Sequence, residues 1–272
     1  MSCHEEIKIL SETLEIAGRN LMNYFHSGDY EVHEKSANNP VTEADFTTNK
    51  IIIDSIRKYF PNDAILSEEV SKELSRDTMN KQRFSAERIW IIDPLDGTKE
   101  FVMGKKEFSI SVGLLDKNEA SLGFILNPAD DYFLCGGKKT GLFLNGKEFN
   151  PPLKKNTSPD ELKICVSRTE KNGGYFDFLD GVIPEKNIGV IGSVAYKLGL
   201  VASGSYDLII SVKPKNEWDI AGGIALFHAN NMVLLDENHK PIALNKEDTL
   251  SNGLIGGLPE TIEIYNSIHK DP

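Results

Sequence analysis

Acidic side chains at the ends of four separated segments are the residues of this sequence best suited to chemistry: Asp45, Glu68 with Glu69, Asp93 with Asp96, and Asp219. Each has an ordinary explanation when taken alone. Asp45 follows Thr42 at the spacing of a helix capping pair, ahead of Phe46, Ile52, Ile53, Ile56 and Phe60. Glu68 and Glu69 follow a short apolar run and suit a solvated loop, and Asp219 stands at the start of a small-residue helix. Placed side by side, these acids would repel one another at pH 7 until protons or cations relieved them. Oxygen ligands without histidine or cysteine companions suit Mg²⁺. Two such ions about 3.5 to 4 Å apart can clamp a phosphate ester and lower the pKa of a bound water.

The central pair lies in Arg88-Ile-Trp-Ile-Ile-Asp93-Pro94-Leu95-Asp96-Gly97-Thr98-Lys99-Glu100-Phe101. Ile89 to Ile92 reads as a buried strand that ends in a chemical site. Pro94 cannot continue a hydrogen-bonded ladder and Gly97 admits angles that other residues avoid, so a turn is expected here. Thr98 then starts a helix whose free amides face whatever the carboxylates hold. Two residues separate Asp93 from Asp96, whereas a phosphorylated-aspartate loop of the Asp-x-Asp-x-Thr kind has one, which disfavours a covalent aspartyl intermediate. No P-loop, His-Glu-x-x-His or Gly-x-Ser-x-Gly run is present, and the six histidines are scattered. Metal-activated water is the chemistry that remains.

The 272 residues, 40% hydrophobic and 26% charged, are ordinary for a soluble globular protein of one large or two smaller domains. A net charge of −11 speaks against a nucleic-acid polymer as partner. Cys3, Cys135 and Cys165 are odd in number and far apart, which suits reduced thiols in a cytoplasm better than a disulfide framework or zinc site. No secretory signal is visible at the start, and no apolar stretch approaches the roughly 20 residues of a membrane span.

The positioning elements follow from periodicity. Ile7, Leu10, Leu14, Ala17, Leu21 and Phe25 predict an amphipathic helix ending near Gly28. Residues 35–45 are polar and proline-broken, and residues 70–87 read as a surface loop or irregular helix. Phe108 to Leu114, Ala120 to Leu126, Tyr132 to Cys135 and the Asn145-Gly146 hairpin signal predict an antiparallel meander. The proline-rich segment Asn150 to Asn156 is the best boundary, dividing an α+β region, 1–150, from an α/β region, 151–272. The second carries predicted strands at Leu162–Val166, Ile188–Ile191, Leu208–Val212, Met232–Leu235 and Gly253–Ile255. Its predicted helices are Ser193–Ala202, one after Asp219, and one opened by Pro259.

Four segments together resemble, in order and spacing, the signatures of the inositol monophosphatase superfamily: Pro40-Val41-Thr42-Glu43-Ala44-Asp45, Ser67-Glu68-Glu69, Asp93 to Phe101, and Trp218-Asp219-Ile220-Ala221-Gly222-Gly223. The Gly97-Thr98-Lys99-Glu100-Phe101 ending is most similar to the 3′(2′),5′-bisphosphate nucleotidase branch. The resemblance implies a layered α/β sandwich with alternating layers of helices and sheets. It implies one Mg²⁺ on Glu68, Asp93 and the Leu95 carbonyl, a second on Asp93, Asp96 and Asp219, and Glu69 in an outer role or at a weaker third site. Asp45 and Thr98 would orient the attacking water, and the scissile phosphate would sit between the metals and the amides of Gly97 and Thr98.

Around the substrate this gathers Glu68, Leu95, Asp96, Gly97, Thr98 and Asp219. The implied activity is removal of the 3′-phosphate from 3′-phosphoadenosine 5′-phosphate. Ser167-Arg168-Thr169 is similar to a Ser-Arg-Ser segment of the nucleotidases, which offers Arg168 to a distal phosphate. Where the inositol-specific branch has a glutamate shortly before Trp-Asp, residues 210–216 carry Lys213 and Lys215 and no acid. Cations there favour a second phosphate over a neutral polyol. Another phosphate monoesterase activity of the superfamily, on inositol or sugar phosphates, is the alternative, and a non-catalytic nucleotide or Mg²⁺ sensor is the alternative of another class. A homodimer is left open.

Overall fold

The computed structural model describes residues 3–36, 39–69, 76–155 and 158–268. The chain begins with α1 (Cys3–Ser27), which buries Leu10, Leu14, Ala17 and Leu21 as its periodicity predicts. A hairpin of β1 (Val32–Ser36) and β2 (Asn39–Thr42) follows, and then α2 (Glu43–Tyr59). The polar, proline-broken composition conceals this hairpin. Pro40 is tolerated because the ribbon has only two strands, so each is an edge and a missing N–H leaves no neighbour unpaired.

The larger sheet has seven strands in sequence order: β3 (Ala64–Ser67), β4 (Arg88–Asp96), β5 (Ser109–Asp116), β6 (Glu119–Asn127), β7 (Tyr132–Gly137), β8 (Gly141–Leu144) and β9 (Lys147–Phe149). β3 and β4 run parallel, joined by a crossover that contains α3 (Arg76–Ser85), and every later neighbour is antiparallel. The expected meander is thus present, with Asn145 and Gly146 both at positive φ in its tight turn. Within the segment 70–87, read as a surface loop or irregular helix, α3 is helical, and residues 70–75 lie outside the described residues.

β4 does not turn at its proline. Pairing with β5 continues from Asp93 opposite Ser111 to Asp96 opposite Ser109, with a register shift between them that absorbs Pro94 and Leu95. A bulge is the place in a sheet where a proline costs little, because the ladder is already interrupted. The turn comes one residue after the second acid, at Gly97 (φ 91°), and leads into the five-residue α4 (Thr98–Val102).

The second half holds β10 (Ile164–Ser167), α5 (Arg168–Asn172), β11 (Ile188–Ile191), α6 (Val194–Ala202), β12 (Leu208–Ser211), β13 (Lys215–Asn216), α7 (Glu217–Ala229), β14 (Val233–Leu235), β15 (Leu250–Ser251), β16 (Leu254–Gly257) and α8 (Pro259–Ile268). Its main sheet has the order β11-β10-β12-β16-β14. Only the first three strands are parallel, as strand–helix alternation predicts; β16 runs antiparallel to both β12 and β14. β13 and β15 form a separate two-residue ladder.

Three apolar cores separate alternating layers of helices and sheets. α1 and α2 cover one face of the larger sheet, meeting Trp90 and Ile92. α6 and α7 lie between the sheets, meeting Ile89 and Ile91 on one side and Ile209 and Leu234 on the other. α8 closes the outer face of the second sheet with Ile262 and Tyr265. Burial on both faces is why β4 reads as a continuous apolar run. The close approach of α7 depends on its small residues: a Cβ on Gly113 of β5 would lie 2.8 Å from the Ala221 Cβ, and one on Gly123 of β6 would overlap the Gly222 carbonyl. Cys3, Cys135 and Cys165 are unpaired, and no helix among the described residues is long and apolar enough to cross a membrane.

Candidate active site

The bulged end of β4 and the first turn of α7 bring Asp93, Asp96 and Asp219 together. Among the described residues, these three each place a carboxylate oxygen within 4.8 Å of the others. Glu68, on the turn after β3, is fastened through its N–H to the Ile92 carbonyl, and its charge acts on Asp93 and Asp219. Glu69 is buried beside it. Burial first, and then the charges of Glu68, Asp96 and Asp219, hold the Asp93 carboxyl well above the usual carboxylate range. Burial, with Asp96 and Glu68, pushes Asp219 up to about 8. Carboxylates in this position stay ionised together only when a cation shares them, and an all-oxygen donor set suits a hard divalent ion such as Mg²⁺.

Each acid is aimed by hydrogen bonds that use only part of its capacity. Asp93 Oδ1 accepts from the Leu95 N–H at 3.0 Å, a bond made across the bulge. Asp219 is the third residue of α7, and its Oδ2 accepts from the Asn216 N–H at 2.8 Å as the carboxylate of a capping box. Asp96 Oδ2 accepts from Ser193 Oγ at 2.5 Å and from the Ala195 N–H at 2.6 Å, which joins the acid to the start of α6. Ser193 is itself held, with Ser109 Oγ at 3.0 Å, and its Oγ accepts from the Tyr196 N–H at 3.0 Å. Behind this turn the buried Lys197 donates to the Ile191 and Gly192 carbonyls at 2.9 and 3.1 Å. Burial lowers its pKa, and the charge of Asp96 opposes the change.

Asp45 combines the helix cap with a place in the site. Its Oδ2 accepts from the Thr42 N–H and Oγ1, both at 2.7 Å, while Oδ1 lies 3.1 Å from Thr98 Oγ1. The same Thr98 hydroxyl is 2.9 Å from the Leu95 carbonyl. Gly97 and Thr98 head α4, where no helical acceptor exists for their N–H groups. Gly97 also admits no side chain, since a Cβ would come 2.9 Å from the Glu107 carbonyl.

The basic residues follow the ends of β10 and β12 in the second sheet. Ser167 caps α5, accepting from the Glu170 N–H at 3.5 Å. Arg168 pairs through Nη2 with Glu107 and donates to the Val190 carbonyl at 3.2 Å. Glu107 accepts in addition from the Gly192 N–H at 3.2 Å. Lys213 is exposed; its N–H donates to Glu170 at 2.9 Å. Lys215 has a mostly buried side chain 3.6 Å from Glu170, and its charge draws down the pKa values of Asp96 and Asp219. Glu170 thus fastens residues 211–215 through Ser211 Oγ, the Val212 and Lys213 N–H groups and Lys215. Glu217 is buried and serves another loop, accepting from the Asn245 and Lys246 N–H groups at 2.8 Å each. Ser193, Glu107 and Glu170 escape sequence reading; the Gly192-Ser193 pair before an apolar helix is the one local signal among them.

Carboxylates from β4 and α7, with Glu68 after β3 and a threonine at a helix start, lie on alternating layers of helices and sheets, and wider comparison gives the class. The model of the inositol monophosphatase family matches residues 3–266, and the chain belongs to that family. It is 32% identical over 237 residues to a fructose-1,6-bisphosphatase/inositol-1-monophosphatase of Thermotoga maritima, covering 85% of this chain and 84% of that one. It is 30% identical over 252 residues to the 3′(2′),5′-bisphosphate nucleotidase CysQ of Haemophilus influenzae, covering 90% of each. The fold matches the extragenic suppressor protein suhB of Bartonella henselae with a TM-score of 0.80 at 22% identity, over 98% of this chain and 100% of that one. The protein is accordingly a hydrolase of phosphoric monoesters.

Proposed function

We propose that the protein is a Mg²⁺-dependent 3′(2′),5′-bisphosphate nucleotidase that removes the 3′-phosphate from 3′-phosphoadenosine 5′-phosphate. The convergence of Asp93, Asp96 and Asp219 carries the reaction class. The cations Arg168, Lys213 and Lys215, with the likeness to the Haemophilus nucleotidase, support the substrate. In this reading Glu68, Asp93 and the Leu95 carbonyl would hold one Mg²⁺, Asp93, Asp96 and Asp219 would hold a second, and Glu69 would stand by a weaker third. When bound, the ions neutralise phosphate charge and acidify a water molecule.

The chain's own groups do the rest. Thr98 Oγ1, by donating to Asp45 Oδ1, would turn a lone pair toward the attacking water. In this reading Asp45 Oδ1 would take up a proton through the threonine hydroxyl. The N–H groups of Gly97 and Thr98 bind phosphate oxygens, and Arg168 meets the second phosphate. Free cysteines fit a reducing compartment, and we place the enzyme in the cytoplasm.

The likeness to the Thermotoga enzyme favours a second reading, hydrolysis of inositol or sugar phosphates. Steady-state assays with 3′-phosphoadenosine 5′-phosphate, inositol 1-phosphate, fructose 1,6-bisphosphate and histidinol phosphate separate the two. A clear preference for inositol phosphate overturns the nucleotide assignment. Tight nucleotide binding with no phosphate release from any substrate makes the protein a sensor, a role against which the intact Asp45–Thr98 pair argues.

A further inference from the structure

The residue offered to a distal phosphate already has an anion on it. Arg168 Nη2 is engaged by the carboxylate of Glu107, while Arg168 Nε is buried with no acceptor among the described residues. Glu107 lies at the edge of the phosphate turn, since its own carbonyl borders Gly97. Its Oε2 also accepts from the Gly192 N–H, immediately before the serine that holds Asp96. A carboxylate therefore sits between the reaction centre and the second sheet, on the guanidinium that a doubly phosphorylated substrate would need.

We propose that Glu107 is a specificity-determining residue, an internal stand-in for an anion that a substrate's second phosphate must displace from Arg168. The proposal rests on the function proposed above and adds to it the residue that sets the preference between bisphosphates and monophosphates. Displacement is inexpensive. Both side chains are about a quarter exposed, at 26% and 29%, and pairs so open to water are weak. Both contacts use Glu107 Oε2, so release frees that oxygen from Arg168 and the Gly192 N–H together, and the side chain, already 29% exposed, turns to water with no buried charge stranded. A phosphate dianion offers Arg168 more charge than a carboxylate and can take the idle Nε–H in a two-pronged contact. A substrate with one phosphate has nothing to exchange, and the pair stays closed.

The matched substrates are 3′-phosphoadenosine 5′-phosphate and adenosine 3′-monophosphate, which share the scissile group and differ only in the 5′-phosphate. Glu107→Gln is expected to raise the bisphosphate-to-monophosphate ratio of kcat/KM about fivefold, mainly through KM, by removing the competitor. Arg168→Gln is expected to lower that ratio about tenfold. In the double variant the gain from Glu107→Gln should vanish, because it acts only through Arg168. A ratio is insensitive to the fraction of correctly folded enzyme, so a merely structural role for Glu107 would not move it. Equal effects of Glu107→Gln on both substrates, or a gain that persists without Arg168, would overturn the proposal. If the wild type hydrolyses neither substrate, the catalytic reading fails by itself; the Kd ratio of the two nucleotides, measured by calorimetry on the same four proteins, then decides the role of Glu107 by the same criteria.

Discussion

Asp45 presents Oδ2 to Thr42 at 2.7 Å and Oδ1 to Thr98 at 3.1 Å. Capping and chemistry are thereby carried by different atoms, and substitutions can separate them. Thr98→Val should lower kcat about 100-fold while shifting Tm by no more than about 2 °C, because only the catalytic half is lost. Asp45→Ala should lose that much activity and in addition about 1 kcal/mol of stability from the missing cap. Thermal melts beside steady-state rates test this; a Thr98→Val enzyme with near-normal kcat would remove the threonine from the mechanism.

Asp96→Asn should keep the fold and lose the reaction. The substitution removes one of several mutually repelling acids, so Tm in EDTA should stay level or rise slightly. Stabilisation by added Mg²⁺, which for a saturating ligand at 100 times its Kd is about 2.7 kcal/mol, should shrink toward zero. Melting curves with and without Mg²⁺ check both statements, and turnover near that of the wild type would contradict the two-metal scheme.

Ser193 provides a test of how Asp96 is aimed. Ser193→Ala leaves Asp96 Oδ2 with the Ala195 N–H alone. Groups that orient metal ligands typically account for 10- to 100-fold in affinity, so Mg²⁺ binding measured by calorimetry should weaken by about tenfold. Ser193→Thr keeps the hydroxyl and should restore most of that loss. Equal affinity in the alanine variant would mean that the helix amide suffices.

The pH dependence has a definite sign. Asp93, Asp96 and Asp219 titrate higher in the folded, metal-free chain than when unfolded, Asp219 near 8 against an ordinary value of 3.8. The folded state therefore holds extra protons between these values, so this contribution to stability is fully present at low pH and declines until pH passes about 8. Metal competes with those protons. Melts from pH 5 to 8.5 should show the Mg²⁺-induced rise in Tm growing with pH, and a rise independent of pH would show that the acids do not bind the ion.

The sequence disclosed the acids more completely than the scaffold that aims them. Asp45, Asp93, Asp96 and Asp219 were visible because each stands beside a local signal: a capping spacing, an apolar strand, a small-residue helix. The bulge that lets β4 run through Pro94 depends on a partner strand, and a proline on its own predicts only a stop. Ser193 and Glu107 lie far in sequence from Asp96 and Arg168, with no pattern of their own to announce the contact. Lys213 and Lys215 are chemically equivalent in sequence; the anchorage of their loop on Glu170 is what leaves one exposed and sets the other beside the acids.

The glycine-lined approach of α7 to the larger sheet has a thermal consequence. Interfaces made of side chains can loosen gradually as rotamers exchange, but where main chain rests on main chain, as at Gly113 and Gly123, there is no soft layer to yield. Asp219 rides on that helix and Asp93 on that sheet, so their spacing cannot drift ahead of the fold. On warming, affinity for the cation should hold nearly constant and then fail in the same narrow interval in which the protein melts.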